Sequence, residues 1–144
     1  LNPVVTTATR DARELRRLPV SVAVVDTTTI GRTTQVSLTD ALRTVPGVVA
    51  GNLFGGEDVR LSIRGSGARG GFSVRGVGIL LDGVPITEPD GQTRLDQLDL
   101  GAARSIEVVR GPASALYGGA ASGGVVNVIT KSGREAAGVS LRSQ

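Results

Sequence analysis

The chain has 144 residues, of which 21 are Gly, and its 16 basic and 13 acidic side chains leave a formal charge of +3. One domain is the default at this length, and a chain of this size buries about 68–70% of the surface its unfolded form exposes. With no Cys and no His, disulfides, thiolate sites, Ser-His-Asp chemistry and the usual zinc or haem ligands are excluded, and no cofactor is expected. Met is also absent, so the chain is expected to be a processed or excised piece that has lost any leader. No apolar run approaches the about 18 residues of a membrane helix. Only Phe54, Phe72 and Tyr117 are aromatic, too few for the two girdles of a membrane barrel, so the chain is not expected to face lipid. From Val36 onward, 11 basic residues are interspersed with 10 acidic ones, which reads as a mixed solvated surface rather than a nucleic-acid footprint.

The elements follow in chain order. Val4 to Thr9 is β-favouring but has no partner in sequence, and Arg10 to Leu18 carries four Arg, one Asp and one Glu, reading as a helical turn or a mobile tail. Val20–Val25 alternates after Pro19 and predicts a strand. Ser37 to Val45 predicts a short helix: Ser37 is the N-cap, Asp40 completes a capping box, Leu38, Ala41, Leu42 and Val45 share one face, and Pro46-Gly47 ends it. Val59–Arg64 alternates strictly and predicts a second strand. Six Gly in the fourteen residues from Gly65 to Gly78 preclude a helix and predict a long loop. Ile79–Leu81 reads as a buried strand ended by the turn dipeptide Asp82-Gly83, and Pro85 to Gln92 as another loop. A second small helix is expected over Leu95 to Ala103, a strand over Ser105–Arg110, and one helical turn over Gly111 to Gly118 with Pro112 at its first position. Gly119 to Gly124 reads as a flexible linker, Val125–Thr130 as the last strand, and residues 131–144 as an exit segment. The fold class is α+β: a small mixed sheet of four to five strands with two or three short helices and long Gly-rich loops. Loops beyond about 12–15 residues are normally functional, and these need cover from outside the chain.

Several motifs have ordinary explanations. Gly65-Ser66-Gly67-Ala68-Arg69-Gly70 fits GxGxxG, but Gly71, Gly76 and Gly78 forbid the helix that a dinucleotide site needs. Arg69-Gly70-Gly71 is one RGG triplet, near chance frequency. Lys131-Ser132 lacks the Gly that precedes a P-loop lysine. Asp82, Glu88, Asp90, Asp96 and Asp99 do not match calcium-loop spacing and suit turns and caps. Arg64 and Arg110 each end a strand and precede Gly, a repeated pattern that suggests a structural ion pair.

Taken together, these residues resemble the plug domain of TonB-dependent outer-membrane receptors. Val59–Gly65 is similar to the family's "IRG" strand, and Leu81-Asp82-Gly83-Val84-Pro85 to its "DGVP" turn. Ile106-Glu107-Val108-Val109-Arg110-Gly111-Pro112 with Ala115-Leu116-Tyr117-Gly118 resembles "IEVxRGPxSxLYG". Gly123 to Lys131 resembles "GGVINIITK", and Val45-Pro46-Gly47-Val48 also fits. The resemblance runs from about Val4 to Lys131. Ser73-Val74-Arg75-Gly76 and Pro89-Asp90-Gly91-Gln92-Thr93 further resemble receptors of the ferric-citrate type.

The resemblance implies a plug lying in the lumen of a barrel of about 22 strands, in the outer membrane of a Gram-negative bacterium, with its N-terminus facing the periplasm. It implies gating and ligand contact for a ferric siderophore or similar iron chelate, without catalysis. Val4, Val5, Thr6, Thr7 and Ala8 resemble the TonB box, which joins the TonB C-terminal domain as an added strand. The acidic residue common before the box is absent, and Leu1-Asn2-Pro3 stand there. Arg64 and Arg110 match the plug arginines that pair with barrel carboxylates. Ala50–Asp58, Ser66–Gly78 and Thr87–Gln92 are the candidate ligand loops, with Arg69, Arg75 and Gln92 the candidate contacts. Residues 1–18 are then an N-terminal extended segment, 19–131 the plug domain, and 132–144 an exit toward a barrel that this chain does not contain. The competing reading is a stand-alone Gly-rich adaptor for a protein or nucleic acid; an enzyme finds no supporting constellation.

Overall fold

The structure is a computed structural model that describes residues 4–8, 13–14, 20–26, 38–52, 59–67, 74, 76–86, 93, 95, 98, 100–112 and 114–133. In chain order its elements are β1 (Val4–Val5), β2 (Arg13–Glu14), β3 (Ser21–Asp26), α1 (Leu38–Arg43), β4 (Val48–Asn52), β5 (Val59–Ile63), β6 (Val77–Leu81) and β7 (Val84–Pro85). A 3-10 turn (Leu100–Ala102) then leads into β8 (Ala103–Arg110), α2 (Ser114–Tyr117), a second 3-10 turn (Gly119–Ala121) and β9 (Gly124–Thr130).

A five-stranded sheet in the order β3-β8-β9-β6-β7 carries the fold, and two two-stranded ribbons, β1-β2 and β4-β5, flank it. All pairs are antiparallel except β6 with β9. The α+β class with a mixed five-stranded sheet is therefore as expected. The three interior strands, β8, β9 and β6, are largely apolar because both faces of the sheet are covered. One face holds Val25, Ile79, Ile106, Val108, Val126 and Val128, packed with Leu38, Ala41 and Leu42 of α1 and with Leu61 and Ile63 of β5. The opposite face holds Leu80, Val109 and Val125, with Ala8, Ala121, Val22 and Tyr117 against them. A bulge between Ala103 and Ser105 keeps Ala103 inward as β8 begins.

Two hairpins turn on paired left-handed residues. Arg64 and Gly65 have φ of 50° and 85°, and Asp82 and Gly83 have φ of 50° and 83°, the backbone signs of the I′ turns that match strand twist. In the first, the Ile63 and Ser66 backbones exchange N–H to O bonds of 2.9 and 3.0 Å. In the second, Asp82 also accepts from the Thr130 N–H at 2.8 Å and the Thr130 hydroxyl at 2.7 Å, a turn role as expected. α1 ends at Arg43, and Gly47, at φ 79°, is the third residue of the Val45–Val48 turn that leads into β4.

Several expectations need correction. Val4–Val5 does have a partner, since it pairs antiparallel with Arg13–Glu14, so that part of residues 10–18 is strand rather than helical turn or tail. Val48–Asn52 is a strand, which removes Ala50 to Asn52 from the candidate ligand loop; Val77 and Gly78 likewise belong to β6. The expected helix over residues 95–103 is, among the described residues, only the 3-10 turn at Leu100–Ala102, and Ala103 already opens β8. The expected linker after Gly118 is a 3-10 turn that buries Ala121 fully. The Ser37 cap lies outside the described residues; Asp40 meets Arg43 at 3.5 Å on the helix surface.

Beside the hairpins, glycine permits close approach of backbone. A Cβ at Gly123 would overlap the Ser66 side chain, and one at Gly124 would lie 2.5 Å from the Val109 carbonyl oxygen. A Cβ at Gly51 meets nothing within 4 Å. Gly124→Ala is therefore expected to destabilise the fold by about 1–3 kcal/mol through overpacking, while Gly51→Ala changes it by less than about 0.5 kcal/mol; urea unfolding followed by circular dichroism checks both.

Candidate functional site

Glu107 and Asn127 are polar interruptions of the two central strands, directly opposite one another in the β8-β9 register. They are 2% and 3% exposed, so their polar atoms must be satisfied inside the fold. The N-terminal segment supplies the partners. The Glu107 carboxylate accepts from the Thr6 N–H at 3.1 and 3.3 Å and from the Thr7 N–H at 2.9 Å. The Asn127 amide donates to the Thr7 hydroxyl at 2.9 Å and accepts from the Gly83 N–H at 3.0 Å. The Tyr117 hydroxyl donates to the Thr7 carbonyl at 2.7 Å. Val5 and Thr7 are buried beneath these contacts, Ala8 nearly so, while Thr6 points to solvent.

Of the five box-like residues, only Val4 and Val5 are thus extended; Thr6, Thr7 and Ala8 form a bend and turn. The roles of Glu107, Asn127 and Tyr117 were missed from sequence. Their signal was a charged and an amide side chain inside otherwise apolar strands, at positions that alternation places on one face.

The two arginines meet at one turn. The Arg64 backbone N–H donates to the Gly47 carbonyl at 3.1 Å, and its side chain is exposed. The Arg110 guanidinium donates to the Pro46 carbonyl at 2.6 Å, and its Nε is buried without a hydrogen-bond partner among the described residues. Arg69, Arg75 and Gln92 lie outside the described residues. Next to them in the chain, Gly76 packs by Ser66, Gly67 and Ser122, and its carbonyl accepts from the Gly123 N–H at 2.7 Å. No group of three or more acidic residues among the described ones is arranged to hold a metal ion.

Residues 14–125 match the family model described as TonB-dependent Receptor Plug Domain. The chain belongs to that family. The plug is 35% identical over 136 residues to the vitamin B12 transporter BtuB of Vibrio vulnificus, covering 94% of this chain and 22% of that protein. It is also 35% identical over 129 residues to a hemin receptor of Yersinia enterocolitica, covering 88% of this chain and 18% of that protein. Among solved structures, the ferric yersiniabactin uptake receptor FyuA of Yersinia pestis superposes with a TM-score of 0.63 at 28% identity, over 78% of this chain and 17% of that one. The chain therefore spans about a fifth of the length of these relatives.

Asn127 ties the plug's N-terminal segment and its Asp82-Gly83 turn to the same strand. Asn127→Ala removes both bonds and leaves buried groups unpaired, and it is expected to cost about 2–3 kcal/mol; the shift of the urea midpoint measures it.

Proposed function

We propose that this plug gates an outer-membrane transporter for a ferric siderophore or similar iron chelate, in a Gram-negative bacterium. The observation that carries the reading is the plug match over residues 14–125 together with a docked Val4–Ala8 segment at the N-terminus. Iron chelates are favoured by the names of two relatives, a hemin receptor and a ferric yersiniabactin receptor, although a third carries vitamin B12. The ferric-citrate resemblance lies mostly on residues outside those described and narrows this proposal without adding to it. The adaptor reading has no comparable observation behind it.

In this reading residues 19–131 are the plug proper, 132–144 lead to the barrel, and the barrel wall covers what the plug leaves bare. Val49 on β4 and Val84 on β7, 72% and 64% exposed, support a covering wall, since paired strands that bare such side chains gain from burial. Arg64 and Arg110 are the proposed partners of wall carboxylates. Among the described residues the Nε of Arg110 has no hydrogen-bond partner, which supports this, because a guanidinium with a donor to spare suits a carboxylate. The N-terminus faces the periplasm, where Val4–Ala8 adds as a strand to the TonB C-terminal domain. Arg69, Arg75 and Gln92 contact the anionic chelate on the outer side.

Val5→Pro deletes one strand donor and is expected to weaken pull-down of the intact receptor by the TonB domain at least tenfold, roughly the loss of one or two backbone bonds. Unchanged affinity removes the box assignment. Arg69→Ala combined with Arg75→Ala is expected to lower affinity of the receptor for an anionic ferric chelate roughly tenfold at low salt and less at high salt. Titration monitored by intrinsic fluorescence tests this, and equal binding by the variant and the native receptor sinks the contact assignment.

A further inference from the structure

We propose that Asp82 and Lys131 form an exit clamp, which carries the sheet's hydrogen bonding past the end of its backbone ladder and makes Thr130–Lys131 the fixed point between the plug and the chain that follows it. The proposal rests on the reading of residues 132–144 as the connection to the barrel, and it names the side chains that keep motion of that connection out of the sheet.

The need for a clamp lies in the end of β9. Its ladder with β6 stops at the pair Leu81–Val128, and its ladder with β8 ends at Ala103–Thr130, just past the bulge between Ala103 and Ser105. Burial fades over the same residues. Val128 is 1% exposed, whereas Ile129, Thr130 and Lys131 are half-buried and Ser132 is exposed. A strand end with little burial and one edge out of the ladder opens at small free energy, so motion of the following segment would fray the sheet from here.

The two side chains stand where the ladder stops. A residue in a parallel ladder bonds the neighbours on either side of its partner. With the Asp82 N–H on the Val128 carbonyl at 2.9 Å, the next rung would run from the Thr130 N–H to the Asp82 carbonyl. The left-handed turn at Asp82 and Gly83 takes the backbone out of strand geometry at that point. The Asp82 carboxylate takes the rung instead: one oxygen accepts from the Thr130 N–H at 2.8 Å and the other from the Thr130 hydroxyl at 2.7 Å. Asn or Gly would suit the turn at least as well, so the turn alone does not call for a carboxylate. On the β8 side, the Lys131 N–H donates to the Ala102 carbonyl at 2.9 Å and its Nζ to the Gly101 carbonyl at 3.0 Å. These carbonyls belong to the 3-10 turn at Leu100–Ala102, and the final carbonyls of a helical turn have no partner within it. Thr130 and Lys131 are thus held from both sides of β9 where burial no longer holds them. Asp82 and Lys131 act as positioning residues that fix where the chain leaves the sheet.

The test is amide exchange in the intact receptor, read residue by residue by mass spectrometry over 125–133. Asp82→Gly keeps the turn and deletes both bonds to Thr130. It is expected to speed exchange at Thr130 roughly tenfold, the loss of hydrogen bonds to a charged group, and to leave Val126 and Val128 within about threefold of native. Asp82→Asn, which accepts from the same N–H, is expected to restore most of the protection, and Lys131→Met to move Thr130 the same way as Asp82→Gly by a smaller factor. If Thr130 exchanges as slowly in Asp82→Gly and Lys131→Met as in the native receptor, the clamp is overturned. It is overturned equally if all of β9 speeds up together, because the bonds then serve the sheet as a whole. If Asp82→Gly fails to fold, Lys131→Met and Thr130→Val decide the matter by the same readout. Insertion of about eight Gly/Ser residues after Ala136 slackens the connection and is expected to return Asp82→Gly to within about threefold of native at Thr130. If the variant exchanges as fast with the insertion as without it, the clamp stands and the reading of residues 132–144 as the connection to the barrel falls.

Discussion

The pairing of β8 with β9 is the constraint on which the rest of the structure depends. Each lies between two other strands, so neither presents an edge and both faces must be covered. On one face the requirement is only apolar, and α1 with the β4-β5 hairpin meets it by burying Leu42, Leu61 and Ile63 against Ile106, Val108 and Val126. The other face is mixed. Leu80, Val109 and Val125 would accept any apolar cover, but Glu107 and Asn127 stand among them. That cover must bring N–H donors and a hydroxyl to fixed points, and two threonines preceded by a buried valine do so. The register that puts Glu107 opposite Asn127 therefore dictates the shape of a segment a hundred residues earlier in the chain.

Glycine has two roles here. Gly65 and Gly83 complete left-handed turn pairs whose first members, Arg64 and Asp82, are not glycine; holding an ordinary residue there costs of order 1 kcal/mol. Asp82 offsets the cost by accepting two bonds from Thr130. Gly123 and Gly124 act differently: they let backbone come within reach of Ser66 and the Val109 carbonyl, where a methyl group has no room. The high glycine content is thus partly a means of close packing. Tyr117, the one aromatic among the described residues, lies at the margin with its hydroxyl in use.

Val59–Ile63 was legible because side-chain period and burial agree there, and β8 and β9 because they are largely apolar runs bounded by turn residues. The Asp82-Gly83 turn and the short helix that Gly118 stops were legible from residue type alone. What escaped notice was structure that exists only through a partner. Val48–Asn52 contains Gly and ends in Asn, so it reads as loop; it is a strand because β5 lies beside it. The β1-β2 pair is two residues long on each side, too short to show any period. The family motifs put Arg64 and Arg110 forward as charges for an outside partner, yet gave no hint that both meet the Pro46–Gly47 turn. Glu107 and Asn127 were visible as interruptions, but their partners were not, since no local pattern links Thr7 to residues so far along the chain.

The choice of polar over apolar cover for the second face has a physical consequence. Apolar burial changes smoothly with area, so a cover held by it loosens gradually. Hydrogen bonds weaken steeply once distance and angle depart from their narrow range. Charged ones at 2.9 and 3.1 Å are therefore sensitive to small displacements of the strand that carries the carboxylate. β9, which pairs with that strand, is also fixed at its start, where Gly123 is bonded to Gly76 and to Gly111. The backbone at Gly76 and the side chains that hold the N-terminal segment thus meet one strand, with Gly124 and Asn127 three residues apart on it. A leucine at position 107 could still cover the face. It would supply no acceptor for Thr6 and Thr7, and the segment would keep its burial while losing the bonds that fix its turn.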